Sequence, residues 1–214
     1  MPFGGSDTIK FTLDEAALLI VDMQVDFVHG PMAVAGAPAL AARLQPLLSA
    51  WRRSGLPVIY TVEAHRPGGG DLGYLARFDP LRAGVALVEG TPGAAVVPEL
   101  APAPDETVVT KRRFSGFCGT DLELALRSRG VTRLFIAGVA THVCCDTTGR
   151  DAAQLNFATW LLSDGTSCGD LPDLGWGPVP AGTVHQVVFT LFAHRFGAVC
   201  RIADLLDALA ARRP

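Results

Sequence analysis

Two hydrophobic spacings alternate along the chain. Short apolar runs at residues 16–21, 57–62, 107–110, 134–137, 158–162 and 198–201 read as strands covered on both faces. Between them, apolar residues recur every three or four positions. Leu40, Leu44, Leu47, Leu48 and Trp51 predict a helix over 37–53, with Gly55 as its stop. Leu122, Leu124, Ala125 and Leu126 predict one over 121–129, with Thr120 as N-cap and Gly130 as stop. Further helices are expected after residue 144, over 184–196 and over 203–211. Strands alternating with helices of this length predict parallel βαβ units, hence an α/β class. Residues 23–31 read as a loop. Residues 63–104 break the alternation: they carry Gly68-Gly69-Gly70, many prolines, a short helical possibility at 74–78 and a short strand or helix near 96–100. So long an irregular insertion in a compact domain points to a lid or substrate-side loop.

The composition narrows the class. Of 214 residues, 49% are hydrophobic and 18% charged, which excludes a disordered chain and suits one domain over 1–214. A net charge of -3 gives no reason to expect a nucleic-acid partner. No apolar run approaches the roughly 20 residues of a membrane span. The first residues lack a basic region followed by an apolar one, so a cytoplasmic protein is expected. The cysteines at 118, 144, 145, 168 and 200 are odd in number and lack zinc-site spacing, so free thiols are expected.

Three reactive side chains share one address. Asp22, Lys111 and Cys144 each lie just past the C-terminal end of a predicted strand, where open α/β sheets bind ligands. The run 134–137 breaks at Gly138, and Cys144 falls where the strand hands over to a helix. Unpaired N–H groups and the helix dipole there are expected to favour a thiolate. A carboxylate to move the proton and an ammonium to steady the anions complete the requirements of a cysteine hydrolase.

The motifs Leu18-Leu19-Ile20-Val21-Asp22-Met23-Gln24 and Gly138-Val139-Ala140-Thr141-His142-Val143-Cys144, with Thr148-Gly149-Arg150-Asp151-Ala152 behind the second, resemble those of the isochorismatase-like cysteine hydrolases. That family includes nicotinamidases, N-carbamoylsarcosine amidohydrolase, biuret hydrolase and ureidoacrylate amidohydrolase, and the resemblance covers nearly the whole chain. It implies a triad of Asp22, Lys111 and Cys144, with Cys145 as a packing residue. It also implies a cis peptide at Val139–Ala140 and an oxyanion hole from the backbone N–H groups of Ala140 and Cys144. The expected fold is a three-layer doubly wound domain with a parallel sheet of about six strands, order 3-2-1-4-5-6.

The turn Lys111-Arg112-Arg113-Phe114-Ser115-Gly116-Phe117 is similar to that of biuret and ureidoacrylate hydrolases, which implies a ureido or carbamoyl amide cleaved through a thioester. Phe27, His65, Arg66, Phe114, Phe117 and His142 are the candidate substrate contacts. Nicotinamidases bind a metal through an Asp-x-His pair and a later histidine. Glu63-Ala64-His65 is superficially similar, but no third ligand follows in that loop, so no metal and no organic cofactor are expected. Arg150 and Asp151 are expected to hold their helix against a neighbour. Rival readings are a nicotinamidase-type or isochorismatase-type hydrolase, or a catalytically silent scaffold on the same fold. Apolar helices and the long loop point to a homo-oligomer, a dimer or tetramer.

Overall fold

The first apolar run of the chain is divided between two cores. In β1 (Ala16–Val21), Ala16, Leu18 and Ile20 face one side of the sheet and Ala17, Leu19 and Val21 the other, all buried. A strand with helices on both faces has no polar side to show. The computed structural model describes residues 12–212, so the expected features of the N-terminal tail before residue 12 lie outside the described residues.

A short helix, α1 (Val25–Val28), follows, and then α2 (Ala37–Arg53). The chain continues through β2 (Val58–Glu63), α3 (Asp79–Arg82), β3 (Thr107–Lys111), α4 (Leu122–Arg127), β4 (Arg133–Val139), α5 (Asp146–Gln154), β5 (Ala158–Ser167), α6 (Ala181–Arg195), β6 (Ala198–Cys200) and α7 (Ile202–Ala211). The six strands form one parallel sheet in the order β3-β2-β1-β4-β5-β6, the doubly wound order expected. Helices α2 and α7 cover one face, where Trp51 packs edge-on against Phe135 and Phe135 stacks on Trp160. Helices α4, α5 and α6 cover the other through Leu122, Leu126, Ala152, Val184, Val188 and Phe192. Among the described residues no helix is long and apolar enough to cross a membrane.

Three expectations are corrected. Residues 23–31 are not all loop, because 25–28 close a helical turn that caps β1. The fourth strand does not break at Gly138; it runs on to Val139. The fifth does not end at Leu162 but continues through Ser163-Asp164-Gly165 to Ser167. The last two share one cause. Gly138 pairs with Thr166 and Val139 with Ser167 after a shift in register, so each strand's extension is paired with the other's, and Ser163-Asp164-Gly165 fall within the irregularity between the two paired stretches. Glycine is needed at 138 because its φ is +124° and a Cβ there would lie 1.9 Å from the carbonyl oxygen of Val21.

The segment between β2 and β3 is ordered by the turn after β1. Val25 N–H donates to Ala95 O (2.9 Å) and Val97 N–H to Met23 O (2.9 Å). The buried Asp26 carboxylate accepts the Leu87 N–H (2.7 Å), and Gln24 Nε2 donates to Ala94 O (2.8 Å). Short 3₁₀ turns at Gly73–Arg77 and Pro98–Leu100 stand where the short helical possibilities were expected. The segment is thus a fixed roof beside the strand ends.

Gly138→Ala is expected to cost about 2–4 kcal/mol, from left-handed backbone plus overpacking against Val21. Urea denaturation measures it; a loss below about 0.5 kcal/mol would mean the backbone gives way freely at that crossing.

Candidate active site

Three strand ends and one helix entrance converge. Asp22 follows β1 directly, and its φ of +53° turns the chain sharply there, a conformation aspartate tolerates better than most residues. Its N–H donates to Thr61 O (3.1 Å) and its Oδ1 accepts from Thr61 Oγ1 (2.8 Å), so β2 fixes the carboxylate. Lys111 ends β3, fully buried. Its Nζ lies 2.8 Å from Asp22 Oδ2, 3.1 Å from Glu63 Oε2, 3.1 Å from Arg113 O and 3.4 Å from Cys144 Sγ. The contact with Asp22 Oδ2 is ionic rather than an aligned hydrogen bond, which leaves that oxygen able to receive a proton.

Cys144 lies in a wide π-turn, Thr141–Cys145, that leads into α5. Such turns recur at functional sites. The preceding Val139–Ala140 peptide is cis, as the resemblance implied. Ala140 O accepts the N–H groups of Val143 (3.1 Å) and Cys145 (3.2 Å), while Ala140 N–H donates to no backbone carbonyl among the described residues. Cys145 is buried in the helix-side core, away from Lys111's hydrogen bonds.

Glu63 was weighed in the sequence only for a metal, and it proves part of this cluster. It ends β2 directly opposite Lys111 in the parallel register. Gln24 clamps its backbone: Gln24 Oε1 accepts the Glu63 N–H and Gln24 Nε2 donates to Glu63 O, both at 2.8 Å. Its Oε2 is 3.9 Å from Cys144 Sγ and its Oε1 is 3.1 Å from His65 Nε2. The signal was available: reading the second strand one residue longer, to mirror Lys111, places Glu63 at the same edge.

The electrostatics correct one expectation. Burial pushes the Cys144 thiol well above its usual value, and Asp22 and Glu63 add to that against the pull of Lys111. The resting cysteine is a thiol, not the thiolate that a helix N-terminus alone would favour, because desolvation beside two carboxylates outweighs a partial charge. Burial also raises the Asp22 carboxyl, with Glu63 adding to it and Lys111 opposing. Burial acts upward on Glu63 too, but His65 and Lys111 outweigh it and hold Glu63 below the ordinary carboxylate range. Burial acts downward on Lys111, yet Asp22, Cys144 and Glu63 reverse it and keep the ammonium charged.

The remaining candidates divide. His65 is buried, with Nε2 on Glu63 and Nδ1 3.7 Å from Asp71 Oδ2. Phe114 packs against both cores, which places it where the two layers meet at the strand ends, and it meets Phe78 of the roof edge-on. His142 is half-buried in the Cys144 turn, its pKa lowered by burial and by nearby His185. Phe27 is buried in the α2-side core, and Phe117 stacks on Phe157 in the other. The Arg66 side chain is exposed, and its N–H donates to Asp71. Arg150 pairs with Asp146 (2.8 Å) inside α5 and lies over the ring of Phe196 just past α6, so its contact with the neighbouring segment is a cation–π one and not an ion pair.

A divalent cation does not suit this donor set. Asp22, Glu63 and Cys144 offer ligand atoms within 4.8 Å of one another, but the Lys111 ammonium already lies within 3.4 Å of all three. Both nitrogens of His65 face carboxylates of the protein itself.

Comparison with known proteins agrees with this geometry. The Isochorismatase domain model matches residues 16–204. The chain is 34% identical to ureidoacrylate amidohydrolase RutB of Rhizobium rhizogenes, over 97% of this chain and 89% of that protein. It is 31% identical to the Agrobacterium fabrum protein of the same name, over 97% and 96%. A cysteine hydrolase from Pseudomonas syringae pv. phaseolicola superposes with a TM-score of 0.89 at 32% identity, covering 94% of this chain and 95% of that one. N-carbamoylsarcosine amidase from Thermoplasma acidophilum superposes at 0.69 with 27% identity, over 87% and 96%. The buried cysteine, lysine and aspartate thus stand at the strand ends of a domain whose match runs from β1 into α7, and the chain belongs to the isochorismatase family.

Proposed function

We propose that this chain is a cysteine-dependent amidohydrolase that cleaves a C–N bond of a small ureido or carbamoyl compound, with Asp22, Lys111 and Cys144 as its triad. One observation carries the reading: the Lys111 ammonium touches both the Asp22 carboxylate (2.8 Å) and the Cys144 sulfur (3.4 Å), all three side chains being buried. The ureidoacrylate amidohydrolases it resembles support the substrate class.

In this mechanism Cys144 Sγ attacks the carbonyl carbon while its proton passes to Asp22. Lys111 steadies the negative charge throughout. The N–H groups of Ala140 and Cys144 receive the oxyanion, where fixed donors count most. The C–N bond breaks as Asp22 returns the proton to the leaving amine, and a carbamoyl thioester remains. Asp22 then takes a proton from water, whose oxygen attacks the thioester, and the departing sulfur recovers that proton. A carboxyl with raised basicity suits this shuttle. His65, Phe114, His142, Phe27, Arg66 and Phe117 are the proposed substrate contacts, of which His65 hydrogen-bonds Glu63 in the cluster itself. No step calls on a metal or cofactor. Cytoplasmic homo-oligomers of single-domain chains fit the same reading: the five cysteines are unpaired, and Leu174 and Trp176 stand exposed as apolar surface.

The test is ammonia release from biuret, ureidoacrylate, N-carbamoyl amino acids, nicotinamide and aliphatic amides. Wild type is expected to act on a ureido compound. Cys144→Ala should lose roughly 10⁴-fold or more, and Asp22→Asn about 10³-fold or more. Near-wild-type turnover in either variant would sink the mechanism, and release from nicotinamide alone would move the substrate class.

The pH profile follows from the same groups. Asp22 must be ionised to take the thiol proton, so kcat/KM should fall on acidification with a midpoint above 3.8. Thiol and ammonium both hold their protons past pH 9.0, so no alkaline loss is expected below that. Iodoacetamide should accordingly modify Cys144 slowly at neutral pH, while exposed Cys118 reacts at an ordinary rate. Peptide mapping separates the two sites; rapid neutral labelling of Cys144 would mean a resting thiolate.

A further inference from the structure

The thiol is bracketed by two carboxylates, and the proposed mechanism uses only one. Asp22 and Glu63 both lie within 4.8 Å of Cys144 Sγ. Asp22 Oδ1 is occupied by Thr61, and its Oδ2 is the proton acceptor of the shuttle. Glu63 is held on every side: its backbone by Gln24, its Oε1 by His65, its Oε2 by Lys111. Behind His65 the chain of charges continues through Asp71 to Arg112 (3.0 Å) and from Arg112 to Glu89 (3.1 Å) at the surface. So much support fixes one oxygen, Oε2, at 3.9 Å from the attacking sulfur.

A carbonyl carbon attacked by that sulfur stands about 3–3.5 Å from it. A substrate seated over the sulfur with one substituent toward Asp22 would set the other toward Glu63, since both carboxylates lie within 4.8 Å of it. The leaving nitrogen needs the proton carried by Asp22. The substituent that stays on the carbonyl therefore faces Glu63.

We infer that Glu63 is a specificity-determining residue: its Oε2 accepts a hydrogen bond from the N–H of the nitrogen retained on the scissile carbonyl, and so selects ureido compounds over simple amides. The inference rests on the amidohydrolase reading above. Its chemistry is that of a fixed anion. Glu63 stays ionised where Asp22 gains proton affinity, and two carboxylates pushed apart in this way divide their roles. A simple amide would set a methylene against a buried, ionised acceptor 2% exposed to solvent. Sites built to hydrogen-bond a polar group reject the analogue lacking it far more strongly than pockets distinguish methylenes.

Matched pairs test this. Biuret and malonamide differ only in one N–H replaced by CH₂, as do 3-ureidopropionate and glutaramate. Wild type should prefer the ureido member of each pair by roughly 100-fold or more in kcat/KM. Glu63→Gln should lower kcat/KM for that member at least 10-fold more than for its isostere, because a charged acceptor becomes a neutral one. Glu63→Asp should restore part of the preference. A purely structural role would lower both members together, and that result would overturn the inference while leaving the amidohydrolase reading intact. Wild type acting on the amides without preference would also overturn it. Absence of Cys144-dependent turnover on every ureido compound would overturn both readings. Should the Glu63 variants fail to fold, Cys144→Ala with Glu63 intact serves instead. In calorimetry it should bind biuret at least 10-fold more tightly than malonamide, and equal binding would overturn the inference.

Discussion

A buried ammonium is the constraint around which this structure is arranged. Lys111 is wholly enclosed, and an enclosed charge survives only with charged partners and well-placed acceptors. Asp22, Glu63 and Arg113 O supply them at 2.8–3.1 Å. Each partner is placed by backbone geometry. Glu63 arrives through the parallel register of β2 and β3, and Asp22 through the left-handed turn at the end of β1. The sheet brings the charges together, and the charges in turn make the strand ends a defined place.

Two carboxylates on one ammonium leave a surplus of negative charge, and the site resolves it unevenly. Glu63, buttressed by His65, keeps its charge; Asp22 gains proton affinity, and the nearby thiol keeps its proton. Such a resting state differs from that of a cysteine activated by a helix terminus. In the proposed mechanism the nucleophile forms only when a carbonyl is present to take the sulfur's electrons. The proposed roles follow: a shuttle at Asp22, a fixed charge at Lys111 and a fixed acceptor at Glu63.

The irregular segment between β2 and β3 belongs to this arrangement rather than hanging beside it. Four polar contacts from residues 23–26 pin it. Gln24 holds both Glu63 and Ala94, so the residue after the shuttle aspartate's neighbour joins the site to its roof. Phe78 brings the same segment onto Phe114 at the strand ends.

The sequence by itself determined the layers and the address of Asp22, Lys111 and Cys144. Apolar runs alternating with 3.6-periodic stretches dictate a covered parallel sheet, and β1 and α2 fall at the residues their patterns mark. Asp22, Lys111 and Cys144 were legible because a reactive residue at the end of an apolar run is a local signal. Three things were decided only by the tertiary structure. Strands β4 and β5 outrun their hydrophobic runs because Gly138 and Val139 pair with Thr166 and Ser167 beyond a shift in register that neither strand's own pattern encodes. Glu63 enters the site through its register with Lys111, 48 residues away in the chain. The protonation of Cys144 reverses the local expectation, because the helix terminus is a neighbour in sequence whereas desolvation and the two carboxylates are neighbours only in space. Periodicity encodes what each segment does alone; register and dielectric are properties of segments already brought together.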